Sequence, residues 1–141
     1  MQSDPAASPS TDRSLLEVTG LDSHYGPVQV IHNISLHVDP GELVALVGGN
    51  GAGKTTLLHI LSGLHRPSAG YLRFDGQDMT RWPSHRIVAA GVCQVPEGRQ
   101  VFAPLSVEDN LKLGAYRQHR NHGWVQQEME HVYTLFPILQ E

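Results

Sequence analysis

Apolar and polar residues alternate from Leu16 onward. Leu16 and Val18 oppose Glu17 and Thr19, the two-residue period of a short strand. The alternation resumes from Val28 to Val38, with Ile34, Leu36 and Val38 on one face and Ser35 and His37 on the other. Two turn sequences punctuate this region, Tyr25-Gly26-Pro27 and Asp39-Pro40-Gly41-Glu42. The spacing predicts antiparallel strands on either side of the second turn. Val44-Ala45-Leu46-Val47 is an unbroken apolar run, which predicts a buried strand. Beyond it the period becomes helical: Leu57, Leu58, Leu61 and Leu64 share a face, and Gly63 and Pro67 end the helix. Tyr71-Leu72-Arg73-Phe74 predicts a strand closed by an Asp75-Gly76 hairpin turn. Pro83 opens a short helix to about Ala90, with Gly91 as its stop, and Val92 to Val95 predicts another strand. Ser106 and Asp109 resemble a capping box for a helix through Asn110, Leu111 and Leu113 that Gly114 weakens or ends. Val125, Met129, Val132, Tyr133 and Phe136 place a last helix on one apolar face, and Pro137 stops it. Early strands followed by a strand–loop–helix unit predict an α/β core with a small antiparallel sheet attached.

Bulk properties narrow the picture. The 141 residues suit one domain, and 40% apolar residues allow a core. Residues 1–13, rich in Ser, Pro, Ala and Asp, predict a disordered tail. A net charge of −4 without a basic run argues against nucleic acid as a partner. No apolar stretch reaches transmembrane length, so any membrane role must go through a partner rather than by direct insertion. The single cysteine, Cys93, excludes an internal disulfide framework; it follows an apolar run and is expected to be a small buried side chain. His119 and His122 are expected in a loop and find no Cys or carboxylate to complete a metal set.

The chemistry concentrates between Gly48 and Thr56. Gly48, Gly53, Lys54 and Thr55 fit the pattern G-x-x-x-x-G-K-[ST], with an apolar run before it and a helical pattern after it. Glycines let the backbone turn its N–H groups inward as a cradle for anionic oxygens. The helix beneath adds free N–H groups and its positive dipole end. Lys54 can reach the outer phosphates as a point charge, and Thr55 can offer its hydroxyl to Mg2+. A dinucleotide fingerprint is a weaker rival: Gly49 and Gly51 open one, but Lys54 stands where its last glycine should fall.

Three segments together resemble an ATP-binding-cassette (ABC) transporter ATPase subunit: Gly48 to Thr56, Gly91-Val92-Cys93-Gln94-Val95-Pro96-Glu97-Gly98-Arg99-Gln100-Val101-Phe102, and Leu105 to Leu111. The string Val-Pro-Glu-Gly-Arg-x-Val-Phe is similar to the branched-chain amino acid importer subunits; urea and amide importer ATPases are close relatives. The resemblance covers about residues 14–141. It implies a P-loop NTPase (RecA-like) core with a small antiparallel β-subdomain and the start of a helical subdomain. It implies ATP and Mg2+ as ligands, membrane subunits and a second ATPase subunit as partners, and a peripheral place on the cytoplasmic face of the bacterial inner membrane. Carried over by position, Tyr25 matches the aromatic that stacks on adenine, the alternative being a core tyrosine at a strand end. Gly48, Asn50, Gly51, Ala52, Gly53, Lys54, Thr55 and Thr56 match the phosphate grip. Glu97 matches the position usually held by a glutamine that touches magnesium and senses the membrane partner, so Lys54 and Glu97 are the catalytic candidates and Thr55 and Glu97 the metal ligands. Gln94 lies three residues early and is expected to pack or face solvent. Arg99 could sense phosphate or partner, or be a solvated loop arginine. Gly49 replaces the usual Pro, Ala or Ser and should loosen the loop entry. Leu105 to Leu111 match the region that contacts the membrane subunit.

The family's signature segment, roughly Leu-Ser-Gly-Gly, its Asp-Glu strand end and its switch histidine are expected to follow Glu141. The domain is therefore expected to be incomplete, with apolar sheet edges exposed, and residues 1–141 alone are expected to be poorly soluble or inactive in ATP turnover. Two other readings remain: a truncated nucleotide-binding module without catalysis, and a different phosphate-loop enzyme. The second is disfavoured, since no guanine-selective Asn-Lys-x-Asp string occurs.

Overall fold

The computed structural model describes residues 14–98 and 100–140. The predicted tail over residues 1–13 and the Arg99 position lie outside the described residues. The chain divides into two compact units, Met1–Cys93 and Gln94–Glu141.

In the first unit, β1 (Leu16–Tyr25) and β2 (Val28–Val38) form a hairpin, and β3 (Ala69–Phe74) and β4 (Gln77–Asp78) complete an antiparallel sheet of order β2-β1-β3-β4. The hairpin turns at Gly26-Pro27, with Tyr25 paired to Val28 and Gly26 at φ 57°, as a tight two-residue turn requires. The partner of β2 is thus β1. The Asp39–Glu42 turn forms, with Glu42 N–H donating to the Asp39 carbonyl at 3.1 Å, but no strand follows it. Val44 to Val47 stays unpaired, with Val47 90% exposed, and Val92 to Val95 is likewise irregular. An apolar run becomes a strand only where another strand's backbone pairs with it, and among the described residues no strand pairs with either run.

The alternation in β1 and β2 breaks once in each strand. Val18, Leu21 and Ser23 are the buried positions of β1, and the shift of parity falls at Gly20, φ 58°. Across the hairpin, Asn33 takes φ 47° and its N–H donates to Asp22 Oδ1 at 2.8 Å. This irregular register turns Ile31 inward and leaves Ile34 at the surface.

Helix α1 (Lys54–Leu61) lays Leu57 and Ile60 against the sheet, in one core with Val18, Leu21, Ile31, Leu72, Met79 and Ile87. Each fully buried side chain of this kind is worth ~1.5–3 kcal/mol. The buried face is centred one position away from the predicted one: Leu58 and Leu64 are exposed, while Ile60 is buried. The helix ends as predicted at Gly63, φ 74°, where Gly63 N–H donates to the Ile60 carbonyl and Leu64 N–H to that of His59. Helix α2 (Ser84–Ala90) contributes Ile87 and ends at Gly91.

The second unit is helical: α3 (Val107–Gly114), a 3-10 turn at Tyr116–Gln118, α4 (His122–Leu135) and a 3-10 turn at Pro137–Gln140. Ser106 caps α3, its Oγ accepting from Asp109 N–H and donating to Asp109 Oδ2. Asn121 caps α4, so His122 begins a helix rather than lying in a loop. Met129 is buried, Val125, Val132 and Tyr133 are half-buried, and Phe136, beyond the helix, is exposed.

Candidate functional site: a phosphate loop on an exposed shelf

The segment from Gly48 to Lys54 turns between the extended Leu43–Val47 run and the start of α1. Gly51 and Gly53 hold φ of 83° and 85°, the left-handed region open to glycine. Gly53 is required a second time by packing: a Cβ there would stand 2.8 Å from Ile31 Cδ1 and 3.0 Å from the Val30 carbonyl oxygen. Strand β2 therefore presses on the last residue of the loop. Gly48 is confined more gently, its notional Cβ lying 3.2 Å from the Ala52 Cβ.

The helix begins with Leu57 N–H donating to the Gly53 carbonyl at 2.9 Å. Ahead of that bond, the N–H groups of Gly53, Lys54, Thr55 and Thr56 meet no acceptor among the described residues. These free donors sit at the positive end of an eight-residue helix. Lys54 folds back over the loop, and its Nζ donates to the carbonyls of Gly48 and Gly49, both at 2.7 Å. The ammonium is thus held at the rim of the donors. The two threonines divide: Thr55 is exposed with its hydroxyl free to face a ligand, whereas Thr56 is 8% exposed and offers only its backbone. Asn50, Gly51 and Ala52 are exposed, so the loop is an open shelf. Clefts of about 380 and 390 Å3 elsewhere in this unit include no loop residue. A row of free N–H donors at a helix start with a tethered cation fits a chain of phosphates, and the Thr55 hydroxyl fits a magnesium ligand; these are the features an ATP–Mg2+ complex needs.

Tyr25 is 49% exposed at the hairpin end, which excludes the alternative of a core tyrosine. It belongs to the same hairpin that presses on Gly53. From Val28, its cross-strand partner, to Ile31 is three residues, roughly 10 Å of extended chain. Tyr25, at the end of β1, and the strand β2 that packs on Gly53 thus belong to one hairpin.

A family model described as "ABC transporter" matches residues 31–140. The chain belongs to the ABC transporter family. Among curated ABC relatives, the high-affinity branched-chain amino acid transport ATP-binding protein BraG of Pseudomonas aeruginosa is 39% identical over 127 residues, 90% of this chain and 54% of its own length. The ribose import ATP-binding protein RbsA 2 of Rhizobium johnstonii is 37% identical over 101 residues, 72% of this chain and 20% of its own. Among solved structures, a nucleotide-free ATP-binding cassette from an ABC transporter superposes with a TM-score of 0.67 at 22% identity, over 91% of this chain and 53% of that one. The α/β cassette fold is therefore shown, and the chain spans about half the length of the first of the relatives it matches.

In the ABC cassette frame, the first unit brings together Tyr25 and the Gly48–Thr56 loop. Glu97 stands in the second unit, exposed in the irregular stretch before α3. Its predicted partner in metal binding, Thr55, belongs to the first unit. Gln94 is half-buried and its Oε1 is shielded from solvent without a hydrogen-bond partner among the described residues, so it packs. Cys93 corrects the prediction: it is exposed, because the apolar run before it forms no strand to bury it. Among the described residues, no group of three metal-binding side chains forms, and no helix is long and apolar enough to cross a membrane.

Two residues escaped the sequence reading. Asn110 does more than continue a helix. Its Oδ1 accepts from Phe102 N–H, and its Nδ2 donates to the carbonyls of Phe102 and Ser106, so it ties the Phe102–Ser106 loop to α3. His65 stacks on Tyr25, and it lies 40 positions further along the chain. An asparagine four residues after a serine cap was a usable signal for the first; no local pattern could have given the second.

Proposed function

We propose that this chain is the nucleotide-gripping part of an importer ATPase, which couples ATP binding and hydrolysis to entry of a small solute through membrane subunits. The observation that supports it best is the row of unbonded N–H groups from Gly53 to Thr56 beside the tethered Lys54 ammonium. Lys54 exchanges its two loop carbonyls for outer phosphate oxygens, gaining charge-assisted contacts. Gly48, Asn50, Gly51, Ala52 and Gly53 wrap the phosphates with backbone, and the Thr55 hydroxyl would be a ligand of the metal; Glu97 is the carboxylate that the second unit would offer as an oxygen donor. Mg2+, when bound, neutralises charge on the transferred phosphoryl group. Tyr25 stacks on adenine, a contact of about 1–3 kcal/mol by analogy with base stacking on aromatic side chains. The open shelf suits closure by a second ATPase subunit. The whole complex works at the cytoplasmic face of the inner membrane, to which this chain is held by its membrane partner.

Branched-chain amino acids are the proposed solute, because the BraG relative matches along 90% of the chain. A sugar importer is the second reading, favoured by the ribose-import relatives. The grip is tested by calorimetric titration of MgATP into the chain and its Lys54→Ala variant. Loss of affinity by at least about tenfold is expected from removing one charge-assisted phosphate contact. Equal affinity in the two proteins would refute the reading.

A further inference from the structure

We propose that His65 is a positioning residue for the base platform: it clamps one face of the Tyr25 ring and leaves the other face for adenine. The proposal rests on the nucleotide-binding reading of Tyr25 given above.

The two rings stack with centroids 4.4 Å apart and an interplanar angle of 30°. His65 is itself fixed at two points, and the segment after it is held as well. Its Nε2 shares a 2.8 Å hydrogen bond with Ser23 Oγ, and Ser23 is fully buried in β1. Its backbone N–H donates to the His59 carbonyl at 3.1 Å, beside the Leu64 N–H that donates to the same oxygen at 2.8 Å. The segment just after it is sewn to β1 by Ser68 N–H, which donates to the Asp22 carbonyl, and by a hydrogen bond between Ser68 Oγ and His24 Nδ1. An imidazole anchored to a buried hydroxyl and to a helix end is a rigid backing. A half-exposed tyrosine without such a backing would have to give up rotamer freedom on binding the base. With the backing, that loss is already incurred in folding.

The arrangement also joins the two ends of the site. Helix α1 begins at the phosphate loop and ends at the turn that carries His65. One helix of eight residues, about 12 Å long, thus fixes the cation of Lys54 at its start and the backing of Tyr25 just beyond its end.

The test compares MgATP with inorganic tripolyphosphate, which has the phosphates and no base, on the chain and its variants. For His65→Ala, we expect affinity for MgATP to fall about threefold to tenfold, the ordering cost of one side chain, with tripolyphosphate affinity unchanged. His65→Phe, which keeps a stacking ring, should recover most of the loss. In a Tyr25→Ala background, His65→Ala should have no further effect, because the histidine acts only through the tyrosine. Tighter MgATP binding in His65→Ala would overturn the proposal by showing that the imidazole occupies the base's own face. A parallel loss for both ligands would overturn it as well, since it would mean a general structural role. An unchanged MgATP affinity would do the same. Failure of the underlying reading looks different: wild type would then bind MgATP no better than tripolyphosphate, or bind neither.

Discussion

The β1–β2–β3 sheet and the Leu43–Val47 run have opposite outcomes, although every residue of the run is apolar and only about half of those in the three strands are. Leu21 and Leu72 are buried to the last 1%, whereas Leu43 and Val47 are 97% and 90% exposed. Composition alone would bury the run and not the strands. What separates them is the means of pairing: β1 and β2 are joined by a two-residue turn, and β3 reaches β1 through the close approach of Gly70 to Gly20. The Leu43–Val47 run has a turn before it and a phosphate loop after it, neither of which brings a second strand alongside. Hydrophobicity licenses a strand, and a neighbouring backbone makes one.

The sharpest way to break this comparison is to truncate one apolar residue in each region. Leu72→Ala should lower unfolding free energy by ~2–5 kcal/mol in urea titration, the cost of a buried cavity. Leu43→Ala should change it by less than ~0.5 kcal/mol, because nothing packs on an exposed side chain. Similar losses at both sites would show that Leu43 is covered in solution.

Gly70→Ala probes the pairing itself. A Cβ there would stand 2.4 Å from the Gly20 carbonyl oxygen and 2.5 Å from that of Thr19, at a φ of 81°. Backbone cannot swing aside as a side chain can, so β1 and β3 must separate, at about 1–3 kcal/mol. Protection of β1 and β3 amides from hydrogen exchange should fall while that of the β1–β2 hairpin persists. Uniform protection in the variant would show that Gly70 is not the point of closest approach.

The smallest effect belongs to the sheet margin. Asp78 accepts from the Thr80 hydroxyl at 2.6 Å and from its N–H at 2.9 Å, and these bonds hold its carboxyl below the usual range. A carboxyl with a depressed folded pKa contributes stability above its unfolded value, and the contribution fades as pH falls through the folded value. The denaturation midpoint of wild type should therefore exceed that of Asp78→Asn slightly at pH 7. The gap should close as pH falls below about 3.8. A gap independent of pH would place the effect elsewhere.

Features written in adjacent residues were legible. Asp75-Gly76 closes its hairpin with both residues at positive φ, Gly63 and Gly91 end their helices, and Ser106 caps α3 through Asp109. The phosphate loop was legible for the same reason, since its glycines, lysine and helix start are contiguous. Features that depend on distant contacts were not. The bulges at Gly20 and Asn33 reverse which side chains of the hairpin face inward, and an unbroken two-residue period cannot anticipate that. The choice of Ile60 over Leu58 as a core residue is set by where the sheet lies against α1. The stack of His65 on Tyr25 joins residues that no short window contains.

The misjudged cysteine has a practical side. The chain carries one thiol, Cys93, and it is open to solvent at the last position of the first unit. A maleimide dye would therefore attach at a single known point without any substitution. The surroundings of Cys93 could then be followed in solution by fluorescence, with and without nucleotide.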